Sequence, residues 1–193
     1  VEPRRKVRKE YRKAVREVFS RRLRRMAPDL KLVKVESPLL FGGETVFQWA
    51  PGGGFIGWVL LVPDSKRQAF TVEVGWSNVG EFPEFGMRPS VMLGPDEPAP
   101  VDVPAGCVRL GGLASGTDVW WNLPDPALLE PADLTALQAS LEPIDLDAAT
   151  RDAEAPVKAA LEMLRGHGLS FLQEAAKRAG VQASTVDCPT PPA

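Results

Sequence analysis

The sequence predicts an α+β domain that combines an antiparallel sheet of about four to six strands, a basic N-terminal helix and about three C-terminal helices. Two observations carry this prediction. Residues 44–76 contain three strand-like runs separated by two turn signals, and apolar residues recur at helical spacing near both ends of the chain. We predict one domain over residues 1–180, with residues 78–105 as a long inserted loop and residues 181–193 as a flexible Pro-rich tail.

Residues 3–27 predict one amphipathic helix, with Pro3 in its first turn and Pro28 at its end. Its apolar stripe consists of Val7, Tyr11, Val15, Val18, Phe19, Leu23 and Met26. Its opposite, basic side consists of Lys6, Lys9, Lys13, Arg16 and Arg24. Arg22 falls inside the apolar stripe. We expect Arg22 either to extend its charged end past the edge of the stripe or to pair with an acid on the sheet, for which Glu73 is the candidate.

Four runs predict the strands of the sheet. Residues 30–36 alternate well enough for a strand that leads from the helix into the sheet, and residues 44–50 form the next one. Residues 55–62 are apolar on both faces, which favours a strand inside a sheet that is covered on both sides. Residues 68–76 alternate between large apolar residues and smaller or polar ones, which favours a half-buried strand.

Two turn signals join these runs into hairpins. The first is Ala50-Pro51-Gly52-Gly53-Gly54, where glycine allows positive φ and the chain can reverse. The second is Pro63-Asp64-Ser65-Lys66-Arg67. The glycine run lacks the spacing of a phosphate-binding loop, and no helical pattern follows it, so we interpret it as a turn.

Residues 106–122 predict a further strand, a Gly-rich turn and a tryptophan pair. In an extended segment the adjacent Trp120 and Trp121 point to opposite sides. One ring can therefore lie in the core while the other lies at a surface, where an exposed Trp is a good binding anchor. Packing of both rings in the core is the default expectation for such a pair.

The run Arg109-Leu110-Gly111-Gly112-Leu113, followed by the tryptophan pair, resembles the R-[IL]-G-x-L … W-W signature of the bacterial domain-of-unknown-function family 4304. The resemblance covers about residues 8–178. This chain departs from the family pattern in its strongly basic first helix and in a Pro-rich insertion at 95–104. The resemblance implies an α+β domain and no established activity, so it assigns no catalytic residue.

Helical spacing returns after Pro124. Predicted helical segments span 131–141, 147–154, 155–165 and 170–179, and Asp145 or Asp147 is the expected cap of the second. We place Pro156 at a helix start and Gly166-His167-Gly168 at a helix end. His167 is the only histidine, and no Ser, Cys or acid motif surrounds it, so we interpret it as a contact at that helix end and not as a catalytic base.

Composition limits the function classes. The net charge is −2, but residues 1–34 hold 14 Lys and Arg against 4 acids, whereas the rest holds 9 against 21. Such asymmetry can mark a nucleic-acid or membrane surface, or a helix that lies against an acidic part of its own chain or of a second copy. The basic side can also be the solvated outer face of a helix that packs on the sheet, which is the usual role of charge runs on surface helices, or it can contact an acidic protein surface. One histidine and two cysteines argue against a zinc site. We predict no metal, no cofactor and no membrane segment, and expect a cytoplasmic protein in which Cys107 and Cys188 are reduced.

Three functional hypotheses follow. The first is a non-enzymatic protein-binding module, for example an immunity-type protein, that binds an acidic protein surface or a second copy of itself. The second is a nucleic-acid-binding protein that uses the basic helix. The third is an enzyme that uses Glu81, Glu84 and Asp118. The residues predicted to bind a partner protein are Lys9, Lys13, Arg16, Arg24, Trp120 and Trp121.

Overall fold

A computed structural model describes residues 2–35, 43–64, 68–80, 82, 93–95, 97–100, 103–123 and 145–181, with the backbone alone for residues 2–8. The strands are β1 Lys31–Val33, β2 Thr45–Gly52, β3 Phe55–Asp64, β4 Ala69–Ser77, β5 Ala105–Arg109 and β6 Trp121–Asn122. The helices are α1 Glu2–Met26, α2 Leu110–Ser115, α3 Leu146–Met163 and α4 Leu169–Arg178, and a π-helical turn at Leu164–Gly168 joins the last two. This architecture confirms the predicted α+β class.

The strands form one sheet in the order β1-β2-β3-β4-β5, and each neighbouring pair is antiparallel. The short strand β6 also pairs with β4, at Ala69 and Phe70, whereas β5 pairs with residues 73–77. Two short strands therefore lie end to end along one edge of β4. The helix α2 and the chain that follows it fill the interval between them.

The predicted hairpins are confirmed. Gly52 pairs with Phe55, and the two residues between them, Gly53 and Gly54, have φ of 62° and 78°. Positive φ at both central residues is what a type I′ turn requires, and this turn matches the twist of the strands it joins. The second hairpin brings Asp64 opposite Ala69.

Both faces of the sheet are buried, and the helices cover one of them. The larger core cluster joins the helices to alternate residues of the strands, among them Phe55, Val59 and Leu61 of β3. The smaller cluster on the other face contains Trp58 and Leu60. The two predicted faces of β3 are therefore confirmed. The prediction of a half-buried β4 is wrong because all nine residues of this central strand are buried.

The predicted helix break at Pro156 is wrong, because α3 runs continuously through that residue. A proline inside a helix removes one hydrogen bond and costs about 3 kcal/mol. An uninterrupted apolar side offsets this cost by packing into the core, and it consists of Ala149, Ala153, Val157, Ala160 and Leu161. The helix begins at its predicted cap, where the Asp145 carboxylate accepts a hydrogen bond of 2.6 Å from the Ala148 N–H.

The predicted helix end at Gly166-His167-Gly168 is also wrong, because the chain continues through the π-helical turn into α4. Neither glycine has positive φ. Steric crowding requires glycine at position 168, because a Cβ there would lie 2.6 Å from Leu164 Cδ1 and 3.1 Å from Val74 Cγ2. Glycine is therefore required at this position because the turn approaches β4 closely, and not because a helix ends there. The predicted tail 181–193 begins at Val181, which is half-buried and packs against the core cluster. The predicted helix 131–141 and the rest of that tail lie outside the described residues.

Candidate protein-binding surface

The basic side of α1 is exposed. Lys9, Lys13, Arg16 and Arg24, all predicted to bind a partner, are exposed side chains of this helix, as are Arg12 and Arg25. The opposite side of α1 packs into the core through Tyr11, Val15, Val18, Phe19 and Leu23. The six exposed cations make no ion pair within the part of the chain that the structure describes. They are therefore accessible to an anionic partner.

Two other arginines of α1 are held by the acidic helix α3. Arg21 bonds Glu154 Oε1 at 2.6 Å, and Arg22 Nε donates to Glu154 Oε2 at 2.8 Å. Tyr11 adds a hydrogen bond of 2.8 Å to Asp152. The prediction that Arg22 pairs with Glu73 is wrong, because this part of α1 lies against α3. The C-terminal segment thus neutralises part of the helix and leaves the rest of its charge exposed.

A groove of about 350 Å³ opens between the last turn of α1 and the C-terminal half of α3. Its apolar lining comes from Met26, which is half-buried, and Leu161, which is buried. Its polar lining comes from Arg22, Arg25, Lys158, Glu162 and Arg165. The groove thus combines an apolar floor with a mainly cationic rim.

The predicted binding residue Trp120 is engaged inside its own chain. Its Nε1 donates to Asp118 Oδ2 at 3.0 Å, and the Arg109 guanidinium carbon lies 5.2 Å from the centre of its ring. Arg109 also bonds the Asp118 carboxylate and lies 3.7 Å from Glu73 Oε1. The Glu73 and Asp118 carboxylates and the Trp120 ring together fix the position of the Arg109 side chain. Arg109 in turn holds the loop before β6.

Trp121 points to the other side of the segment, as the alternation predicted. Its ring stacks on Phe70 with a centroid separation of 5.6 Å, and only 8% of the residue is exposed. A buried ring offers no surface to a partner. The predicted site residues therefore do not form one surface, and the candidate surface consists of the α1 cations and the groove beside them.

Of the three predicted catalytic acids, the structure describes Asp118. Asp118 is bound by Arg109 and Trp120, and Glu81 and Glu84 lie outside the described residues. His167 is exposed and lines a depression of about 270 Å³ together with Glu97, Ser170 and Glu174. No hydrogen bond within the described residues joins His167 to any of these three side chains. Geometry thus does not couple the histidine to a nucleophile or an acid.

Sequence reasoning missed the groove, although its cations were visible in the sequence. The sequence pattern places Arg25 only in the basic region of residues 1–34, and it gives no reason to select Arg165. The groove exists only because α1 packs against α3, two helices that are more than 100 residues apart in sequence. A clue was available in the apolar residues Met26 and Leu161, each of which has cationic neighbours at helical spacing.

The described structure also bears on metal binding, thiol chemistry and membrane insertion. Within the described ranges, no three His, Cys, Asp or Glu side chains are placed to hold a metal ion. Cys107 is a buried thiol whose Sγ donates a hydrogen bond of 3.5 Å to Glu73 Oε2. None of the helices in these ranges is long and apolar enough to cross a lipid bilayer. No protein-family model, no curated protein and no solved structure matches this chain.

Proposed function

We propose that this protein is a non-enzymatic binding module that recognises an acidic surface of another protein through the basic side of α1. The observation that supports this proposal is the set of five exposed cations on that side, Lys9, Arg12, Lys13, Arg16 and Arg24, none of which has an ion-pair partner within the described residues. Exposed charges steer a partner of opposite sign and set which partner is accepted. An immunity-type role is one member of this class of function.

A protein partner fits this surface better than nucleic acid does. The exposed side of α1 also carries Glu17, with Glu10 half-buried beside it, and these acids would repel a phosphate backbone. Proteins that bind single strands place aromatic rings among their cations, where bases can stack. The only tyrosine, Tyr11, is buried and bonded to Asp152. Carboxylates on a protein surface, in contrast, can be spaced to avoid the acids of α1.

The charge reversal Lys13→Glu with Arg16→Glu tests this function. The tagged protein is used to capture partners from the lysate of its native cells, with and without nuclease, and the captured partner is then titrated in pure form. We expect the double variant to bind that partner at least about tenfold more weakly, because two attractive contacts become repulsive. We also expect the wild-type affinity to fall as the salt concentration rises.

The matched control is Arg151→Glu with Lys177→Glu, which changes the net charge equally on the exposed sides of α3 and α4. This variant should bind like the wild type. Equal loss in both variants would show that only the net charge matters. Capture that nuclease abolishes would favour the nucleic-acid hypothesis, and a partner that binds the Lys13 and Arg16 variant normally would refute the basic side of α1 as the binding surface.

A further inference from the structure

The groove between α1 and α3 carries positive charge that the described residues do not neutralise. Arg22 is bound by Glu154, and the Lys158 Nζ lies 3.8 Å from Glu162 Oε1. Arg25 and Arg165 line the same groove, are exposed and have no ion pair within the described residues. Two guanidinium groups are therefore available at one opening.

The floor of this groove is apolar. Leu161 is only 5% exposed, and the half-buried Met26 packs against the core cluster. Methionine is flexible and polarisable, so it adapts to side chains of different shapes. A volume of about 350 Å³ is at the small end of the range for ligand sites, and it suits a few side chains better than a folded domain. The groove thus fits an apolar side chain that has negative charge close to it.

We propose that this groove receives a short acidic segment of the partner protein, with an apolar side chain on Met26 and Leu161 and carboxylates on Arg25 and Arg165. This inference rests on the proposed function, because the segment belongs to the same acidic partner. Charge complementarity selects the occupant. A guanidinium group binds a carboxylate through two parallel hydrogen bonds, and a bare phosphate chain would leave the apolar floor without a contact.

A displayed library of random peptides of about 12 residues tests the proposal, because it offers every sequence class to the wild-type protein. We expect the selected peptides to share Asp or Glu next to a large apolar residue. A fluorescent copy of one such peptide should bind Arg25→Glu with Arg165→Glu at least about tenfold more weakly, measured by anisotropy. The variant Arg151→Glu with Lys177→Glu, which changes the net charge equally and leaves the groove intact, should bind that peptide within about threefold of the wild type.

A second readout does not depend on any variant. The chain has four methionines, so a spectrum of ¹³C-labelled methionine methyl groups is simple, and Met26 can be assigned by replacing it with Leu. Addition of the peptide should shift the Met26 signal. Selection of no peptide, selection of peptides without acids, an unchanged Met26 signal, or full binding by the Arg25 and Arg165 variant would each overturn the proposal.

Competition and dilution experiments distinguish the acidic peptide from two other possible occupants of the groove, nucleic acid and a second copy of the chain. Displacement of the peptide by a single-stranded oligonucleotide at lower concentration than by polyglutamate would assign the groove to nucleic acid. A Met26 signal that shifts on dilution without peptide would assign it to a second copy of the chain. Either outcome overturns the proposal. If only the groove proposal is wrong, the Lys13 and Arg16 variant still captures less partner than the wild type. If the proposed function is wrong, that variant captures as much partner as the wild type, and the peptide still shifts the Met26 signal.

Discussion

Replacing Gly106 with Ala is expected to lower the free energy of unfolding by about 3 kcal/mol. A Cβ at this position would lie 2.3 Å from two atoms of the Trp76 ring and 2.9 Å from a third. The ring is fully buried, and it packs edge-on against Phe171 at 5.5 Å between centroids. It therefore cannot turn away without disturbing the contact between the sheet and α4. Urea denaturation followed by circular dichroism measures the loss.

A double-mutant cycle identifies the cause of this loss. Trp76→Phe removes the ring atoms that the new methyl group would meet, so Gly106→Ala should cost less in that background than in the wild type. Gly166→Ala is the matched control, because no heavy atom lies within 4 Å of its Cβ position. We expect the control to leave stability unchanged or to raise it by up to about 1 kcal/mol. Equal losses at Gly106 and Gly166 would contradict the packing explanation.

Replacing Gly111 with Ala should also cost about 3 kcal/mol, because here the obstacle is backbone. The Cβ would lie 2.5 Å from the Thr117 carbonyl oxygen and 2.6 Å from the Val119 nitrogen. The loop that passes over Gly111 is fixed from the sheet, where the Thr71 hydroxyl donates to the Val119 carbonyl at 2.9 Å. A methyl group would push this loop off α2. Urea denaturation followed by circular dichroism measures the loss of stability.

The adjacent Gly112 provides a graded comparison for Gly111. Its Cβ would lie 3.1 Å from the Leu93 carbonyl oxygen, so a small backbone shift relieves the contact. Gly112→Ala should therefore cost less, on the order of 1 kcal/mol, in the same urea denaturation experiment. A larger loss at Gly112 than at Gly111 would show that the loop over α2 tolerates displacement.

Alternation along the strands was enough to predict much of the sheet. The apolar residues on both sides of β3 indicated a central strand, and the glycines at 52–54 indicated its hairpin. These signals are local, because each strand residue faces one side and each turn residue sets its own φ. The burial of Glu73 and Thr71 on the second face of β4 could not be predicted, since it depends on what covers that face and not on β4 itself.

The errors in the C-terminal half arose where packing overrides a local signal. Proline usually begins or ends a helix, but the apolar side of α3 continues through Pro156. Glycine usually follows a helix end, but Gly168 instead allows Leu164, Leu110 and Val74 to pack closely against the backbone. The exposed side of α1 was predicted because amphipathic spacing is local. The partner of Arg22 and the groove were not, since both need α3 to lie beside α1.

The complete burial of β4 also determines where the protein opens last. This strand has β3 along one edge and β5 and β6 along the other, so its amides exchange with solvent only when a neighbouring strand leaves. Short β1, with Leu32 42% exposed at the rim of the sheet, can separate without disturbing that centre. Amide hydrogen exchange should therefore be slowest in β4, at the rate of global unfolding, and much faster in β1. Strand β4 thus stays paired while β1, at the rim of the sheet, opens and closes.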